Sequence, residues 1–141
     1  DSHFQAHINS YFEICFETFV HGEHKSLTEK VFKPIINFQP FFFVAYPGGL
    51  ELLRNLGFKT FEGFIDESYD NIQNVNERLE AIFLEVKRLC EMSKEEIHDW
   101  YWKMEDILIH NHRTLINHHK NKLFGEDLIK EFYDITTNRT V

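Results

Sequence analysis

The chain has 141 residues, a length typical of one domain, and its 15 phenylalanines supply ample apolar volume for a core. Its formal net charge of −8 argues against a nucleic-acid-binding protein, because contacts with nucleic acid require a basic surface. No signal peptide and no apolar run long enough to span a bilayer are recognisable, so we expect no membrane partner and a cytoplasmic location.

The first half of the chain predicts strands and helices in alternation. Aromatic and β-branched residues over Tyr11–Phe16 predict a strand, and residues 19–25 predict a loop. Ser26 and Glu29 form an S-x-x-E capping box, which predicts the start of a helix. That helix is expected to end before Pro40, because the residue preceding a proline disfavours the α conformation.

A continuous apolar run, Phe41–Ala45, predicts a strand that is buried on both faces. Pro47-Gly48-Gly49 then turns the chain into a helix over Leu50–Leu56, and Gly57 is a natural residue for the C-terminal cap of that helix. Phe58–Phe61 follows as a short extended piece, which we expect to be a third strand.

The second half of the chain predicts helices. Asn74 is an N-cap candidate, and apolar residues recur at three- and four-residue spacing up to Leu89. The capping box Ser93–Glu96 predicts a long helix that runs to about Lys120. A last short helix is expected over Gly125–Tyr133.

Strands that are separated by helices predict parallel pairing with right-handed crossovers. We therefore expect a single α/β domain with a small open parallel, Rossmann-like sheet and flanking helices over residues 1–70. Residues 71–141 would form a helical C-terminal half. A ligand is expected outside the carboxyl ends of the strands, near residues 16–18, 45–49 and 61–63.

The two cysteines lie in segments predicted as secondary structure with apolar neighbours. Cys15 falls in a strand and Cys90 in a helix. This pattern favours two buried free thiols in a reducing compartment over a disulfide.

The loop-to-helix junction at Thr28, Glu29 and Lys30 is the first candidate site. A phosphate placed there would accept backbone N–H hydrogen bonds, meet the positive end of the helix dipole and pair with the Lys30 ammonium. The neighbouring carboxylate could bind the vicinal hydroxyls of a ribose. The residues alone leave a second interpretation open, in which Glu29 only completes the capping box and Lys30 is a solvated surface residue.

These residues also resemble a known family. The segment Tyr11–Asp70 is similar to the C-terminal, donor-binding half of glycosyltransferases with two Rossmann-like domains, the GT-B kind. The shared pattern is the fucosyltransferase-like element Leu27-Thr28-Glu29-Lys30, then a short helix and an apolar strand that ends at Pro47-Gly48-Gly49. The stretch Gly57–Asp70 also resembles uncharacterised phage and marine-metagenome proteins. The resemblance covers under half of the chain.

The resemblance implies a binding site for a nucleoside diphosphate or a nucleotide sugar. It implies that Lys30 faces the donor diphosphate, that Thr28 contacts the phosphates and that Glu29 holds the ribose hydroxyls. It also implies that Glu17, at the end of the first strand, lies near the donor sugar. The pair Gly48-Gly49 would let the backbone approach the ligand closely.

Two features separate the chain from that family. Phe32, Lys33 and Pro34 follow the T-E-K element, where the family tends to carry small residues. An acceptor-binding domain is not recognisable, so we expect either a fragment of a larger two-domain protein or a chain whose acceptor domain comes from elsewhere. Whether the chain is an enzyme stays open. The alternative is a non-catalytic structural or protein-interaction domain of viral or phage origin.

The remaining polar and aromatic groups have simpler interpretations. Asp66, Glu67 and Asp70 could hold a divalent cation, but their spacing is not that of a calcium loop and favours turn or helix caps. The histidines of the long helix are expected on its solvated surface, and no metal or cofactor is expected. His21 either contacts a phosphate, acts as a base or is an ordinary loop residue. Trp102 is expected to point away from the core, which leaves a homodimer partner open.

Overall fold

The computed structural model describes residues 9–17 and 27–120. In chain order they form β1 (Glu13–Phe16), α1 (Glu29–Ile36), β2 (Phe41–Val44), α2 (Gly49–Asn55), a 3₁₀ helix (Glu67–Asn71), α3 (Val75–Cys90), α4 (Lys94–Trp102) and α5 (Glu105–Lys120). The predicted helix over Gly125–Tyr133 lies outside the described residues. None of the described helices combines the length and the apolar character needed to cross a membrane.

The two strands lie side by side and parallel, with Glu13 opposite Phe41 and Phe16 opposite Val44. α1 connects them, because parallel strands need a crossover rather than a tight turn. The predicted α/β fold is therefore confirmed: a small open parallel sheet with flanking helices precedes a helical C-terminal half.

The predicted third strand over residues 58–61 does not form, since the sheet has two strands in the part of the chain that the structure describes. Side chains, and not a neighbouring strand, form hydrogen bonds with backbone groups of this segment. The Asn111 side chain accepts a hydrogen bond from the N–H of Lys59 at 2.7 Å and donates one to its C=O at 2.8 Å. The Glu67 carboxylate accepts one from the N–H of Phe61 at 2.6 Å. The segment is thus a fixed connection rather than a strand.

The core is built around β2, whose residues are buried on both faces as the apolar run predicted. The N–H of Phe43 donates a hydrogen bond to the Tyr69 hydroxyl at 3.2 Å, so a side chain satisfies this strand edge. The helices supply most of the other fully buried side chains, which include Phe32, Leu50, Leu53, Leu89 and Leu115.

The start of α1 differs from the prediction. Its N-cap is Thr28, whose hydroxyl accepts a hydrogen bond from the N–H of Lys30 at 3.4 Å. The capping box predicted from Ser26 is therefore wrong in its cap residue, and Ser26 itself lies outside the described residues. Glu29 is then the first residue of the helix rather than the second half of a box.

The end of α1 is set by an aromatic residue in a left-handed conformation. Phe38 has a φ of 54°, and its N–H donates to the C=O of Ile35 at 3.3 Å. The N–H of Gln39 donates to the C=O of Pro34 at 2.9 Å. These two bonds form a Schellman closure, in which glycine usually occupies the left-handed position. The helix therefore ends at Ile36, before the proline rule requires it to end.

Three predicted caps are confirmed. Gly57 has a φ of 89°, and its N–H donates to the C=O of Arg54 at 2.9 Å, which closes α2. The Asn74 side chain accepts hydrogen bonds from the first turn of α3. The side chains of Ser93 and Glu96 each bind the backbone N–H of the other residue and start α4.

The predicted long helix is two helices, because the chain turns at Lys103 and Met104 between α4 and α5. No glycine or proline marks this turn in the sequence. The turn buries Met104 completely. It also lets α5 pack on α1 while Trp100 of α4 donates its indole N–H to the C=O of Phe64 at 3.0 Å. The packing of α5 on α1 and the contact of α4 with Phe64 therefore account for the turn within a continuous helical pattern.

The two cysteines are free, as predicted, but only one of them is buried. Cys15 is 3% exposed and belongs to the core. The predicted burial of Cys90 is wrong, because α3 turns Ile82 and Leu89 inward and leaves the last residue of the helix exposed.

Candidate functional site

Glu17 follows β1 at the carboxyl edge of the sheet and is 6% exposed. Its carboxylate accepts hydrogen bonds from the backbone N–H of Thr28 at 3.1 Å and from the Thr28 hydroxyl at 2.7 Å. The structure thus brings two predicted site residues together at the N-terminus of α1. A carboxylate of the protein itself lies at the helix end where the sequence predicted a phosphate.

Glu29 and Lys30 lie in the first turn of α1 and are half-buried. The C=O of Lys30 accepts a weak hydrogen bond from the Cys15 thiol at 3.6 Å. Burial raises the pKa of this thiol, and the carboxylates of Glu13 and Glu17 raise it further. The thiol is therefore a packed neutral group and not an activated nucleophile.

The N-terminus of α2 holds the two predicted glycines. Gly48 has a φ of 83°, a left-handed conformation that favours glycine. A Cβ atom on Gly49 would lie 2.9 Å from the Phe43 ring and 3.0 Å from the Ala45 side chain. Close packing of α2 on β2 thus accounts for Gly49 without any ligand.

Asp70 caps this second helix end from the 3₁₀ helix. Both of its carboxylate oxygens lie 3.2 Å from the N–H of Leu50, and its backbone C=O accepts a hydrogen bond from the N–H of Gly48 at 2.9 Å. Burial raises the pKa of Asp70, although the N–H groups of α2 oppose this shift. The predicted capping role is confirmed. The N–H of Leu50 lies 20 residues before Asp70 in the chain, so no local spacing pattern predicts which helix Asp70 caps.

Tyr46 lies just after β2, at the same edge of the sheet. Its hydroxyl is buried and has no hydrogen-bond partner among the described residues. Burial raises the pKa of this phenol, and the carboxylates of Glu17 and Asp70 raise it further. A buried hydroxyl without a partner is a group that a polar ligand would satisfy. Tyr46 is not among the site residues predicted from the sequence, because there it only continues the apolar run Phe41–Ala45.

A large open groove of about 1270 Å³ lies beside α2, the 3₁₀ helix and α3. Its two arginines are already paired, Arg54 with Glu67 at 2.7 Å and Arg88 with Glu85 at 2.6 Å. Within residues 9–17 and 27–120, no group of histidine, cysteine or carboxylate side chains is arranged to hold a metal ion. The groove opposes an anionic ligand, because further carboxylates line it: Glu51, Glu62, Asp66 and Asp70.

Asp66 has the capping role that the sequence favoured. Its carboxylate accepts a hydrogen bond from the N–H of Ser68 at 3.0 Å and starts the 3₁₀ helix. The hydrogen bonds from Ser68 lower the pKa of Asp66. This residue therefore stabilises a local turn.

The predicted solvated position of the α5 histidines is wrong. His110 and His118 contact the C=O groups of Gly57 and Leu56 at the C-terminal end of α2. The ring of His112 stacks on Phe38, with centroids 4.4 Å apart. These side chains are partly buried and join α5 to the ends of α1 and α2. Their polar contacts suit helix C-termini, where C=O groups lack partners within the helix.

No model of a known protein family, no curated protein and no solved structure matches this chain. The glycosyltransferase-like origin therefore stays a prediction from its motif alone. The predicted site residue His21 lies outside the described residues.

Proposed function

We propose that this chain is a non-catalytic protein-interaction domain. The observation that supports this proposal most is the Glu17 carboxylate at the N-terminus of α1. A diphosphate at that helix end would face a buried charge of its own sign, within hydrogen-bond distance of Thr28. Asp70 repeats the same arrangement at the N-terminus of α2.

The outer surface of α3 also supports an interaction role. Leu79, Phe83 and Cys90 follow one another at spacings of four and seven residues, which places them on one helix face. Phe83 is 64% exposed and Leu79 is 39% exposed, while Val86 on the same stripe is partly buried. Contiguous exposed apolar side chains are typical of surfaces that a partner covers.

Thermal unfolding with GDP, UDP, ADP and inorganic phosphate tests the proposal. We expect no change in the midpoint at millimolar ligand for the wild type or for Lys30→Ala. A site filled at about a hundred times its Kd would add about 2.7 kcal/mol of stability, which corresponds to a shift of several degrees. A shift of that size with one nucleoside diphosphate, lost in Lys30→Ala, would contradict the non-catalytic proposal.

A nucleotide-sugar-binding domain is the second candidate function, and the buried Tyr46 hydroxyl favours it. In this proposal a polar ligand enters the carboxyl edge of the sheet and meets Tyr46 and Lys30. Glycosyl transfer would still need an acceptor domain from elsewhere. A nucleotide-dependent shift should then disappear in Tyr46→Phe and persist in Tyr11→Phe, whose hydroxyl instead contacts His98.

A further inference from the structure

An apolar groove of about 410 Å³ lies where the end of α1 meets the turn between α4 and α5. Pockets for small organic ligands have volumes of about 300–1,000 Å³. Leu108, which is 5% exposed, lies at the bottom of this groove. The walls are aromatic, from Phe38, Tyr101 and Trp102, and Glu105 supplies a carboxylate.

Two of these rings form a corner. The centroids of Tyr101 and Trp102 are 5.4 Å apart, and their planes are inclined by 85°. Trp102 is 53% exposed, yet its indole N–H donates a hydrogen bond to Nε2 of His98 at 3.1 Å. An exposed tryptophan that is held in place presents its face to solvent at little further cost in conformational entropy.

The third aromatic residue of the groove, Phe38, has an unfavourable backbone conformation. Phe38 has a φ of 54°, where side chains other than glycine are strained by about 1–2 kcal/mol. Its C=O accepts a hydrogen bond from the Tyr101 hydroxyl at 2.8 Å, and its ring stacks on His112. These contacts fix the Phe38 ring beside the corner that Tyr101 and Trp102 form. Such maintained strain is common at ligand-binding sites.

The charge of the groove is negative. Glu105 lies in the first turn of α5, and its carboxylate has no ion-pair partner within residues 9–17 and 27–120. Burial, and then the nearby Glu105 carboxylate, raise the pKa of the Tyr101 hydroxyl. No lysine or arginine is among the described residues that line the groove.

We propose that this groove binds the ammonium group of a small organic cation, such as an alkylated or quaternary amine. The faces of Tyr101 and Trp102 attract the cation through their ring quadrupoles, and Glu105 supplies the opposite charge. A hard metal ion would need several oxygen ligands, which the groove does not offer. A neutral ligand would form no ion pair with the Glu105 carboxylate. The proposal goes beyond the interaction role and does not depend on it.

Titration with choline and with its uncharged isostere, in which carbon replaces the quaternary nitrogen, tests the proposal on the whole chain. In nitrogen-15 NMR spectra, choline should shift the indole N–H signal of Trp102 and saturate. The signal of Trp100 should stay in place, because that indole is buried and bound to the C=O of Phe64. Calorimetry should show at least tenfold weaker binding of the isostere.

Two variants with one matched control separate the contributions. Glu105→Gln should weaken choline binding about threefold to fivefold, as expected for a solvent-exposed ion pair. Trp102→Leu should abolish saturable binding without lowering the unfolding midpoint much, because about half of this residue is exposed to solvent. Glu95→Gln removes another exposed glutamate from a first helical turn, that of α4, and should leave binding unchanged.

Three results would overturn the proposal. One is equal affinity for choline and the neutral isostere. Another is wild-type affinity in Glu105→Gln, or no saturation at the highest soluble concentration of choline. The third is binding of a peptide with trimethyllysine when choline does not bind, which would assign the groove to a protein partner.

Discussion

At the scale of single residues, the carboxylates of Glu17 and Asp70 lie at the N-termini of α1 and α2, at the carboxyl edge of the sheet. Each carboxylate binds backbone N–H groups at the start of a helix, where an external anion would otherwise be favoured. These hydrogen bonds satisfy N–H groups at the helix ends, but at Asp70 the cost of burying the carboxylate outweighs them, since burial raises the pKa of that group. The two carboxylates and an external anion therefore compete for the same N–H groups.

Asp70 gives a prediction for the pH dependence of stability. Burial raises its pKa in the folded state above the ordinary value of 3.8. The folded state then holds the proton more tightly, so Asp70 favours folding at low pH and loses this contribution as the pH rises through the raised pKa. Between about pH 4 and pH 7, the free energy of unfolding of the wild type should therefore fall relative to that of Asp70→Asn.

Urea unfolding at several pH values measures this difference. Asp106→Asn, which replaces an exposed aspartate of α5, is measured in parallel as the control for the loss of one surface carboxylate. If the Asp70→Asn difference shrinks as the pH rises, the N–H groups of α2 outweigh burial and the pKa of Asp70 is lowered instead.

At the scale of elements, the contact between α2 and β2 depends on Gly49. Helix propensity alone predicts that Gly49→Ala stabilises the chain by up to about 1 kcal/mol. The added Cβ would instead meet the buried Phe43 ring at 2.9 Å. We expect a net loss of about 1–2 kcal/mol in denaturant unfolding, because overpacking a core costs about 1–3 kcal/mol.

Two further variants identify the cause of that loss. Glu51→Ala on the exposed side of α2 should change stability by less than about 0.5 kcal/mol. The double variant Gly49→Ala with Phe43→Leu should cost less than the sum of the single changes, since the smaller side chain makes room. Strictly additive costs would rule out the clash as the cause.

One side chain from α5, Asn111, binds the connection over residues 58–61 at the backbone of Lys59. Asn111→Leu removes both hydrogen bonds to the backbone of Lys59 and leaves its N–H and C=O without these partners. We expect a loss of about 2–4 kcal/mol in denaturant unfolding. Asn117→Leu, on an exposed position of the same helix, should have little effect. Equal effects of the two changes would mean that hydrophobic substitution on α5, and not the lost hydrogen bonds, causes the loss.

At the scale of the whole molecule, the fold leaves apolar surface uncovered. Ile82 and Phe83 are neighbours on α3, but Ile82 is 4% exposed and Phe83 is 64% exposed. Ile82→Ala should cost about 2–5 kcal/mol, while Phe83→Ala should stay within about 0.5 kcal/mol in thermal or urea unfolding of the isolated chain. A similar cost for both would show that the chain itself covers Phe83, and the α3 stripe would no longer support an interaction role.

Local patterns in the sequence determined much of this architecture. The buried strand β2, the caps at Asn74 and Ser93–Glu96 and the glycine closure at Gly57 all depend on residues within about one helical turn or one short run. Such features are visible in a sequence because their causes are local: capping side chains, backbone conformation and apolar periodicity.

Only the tertiary structure decided how the candidate site is arranged. Glu17 meets Thr28 across 11 residues, Asp70 meets Leu50 across 20, and Asn111 meets Lys59 across 52. These bonds depend on which surfaces the packed helices bring together, and no spacing rule encodes that. The same packing split the predicted long helix at Met104 and placed the rings of Tyr101 and Trp102 beside Phe38, because burial of apolar side chains outweighs local helix propensity.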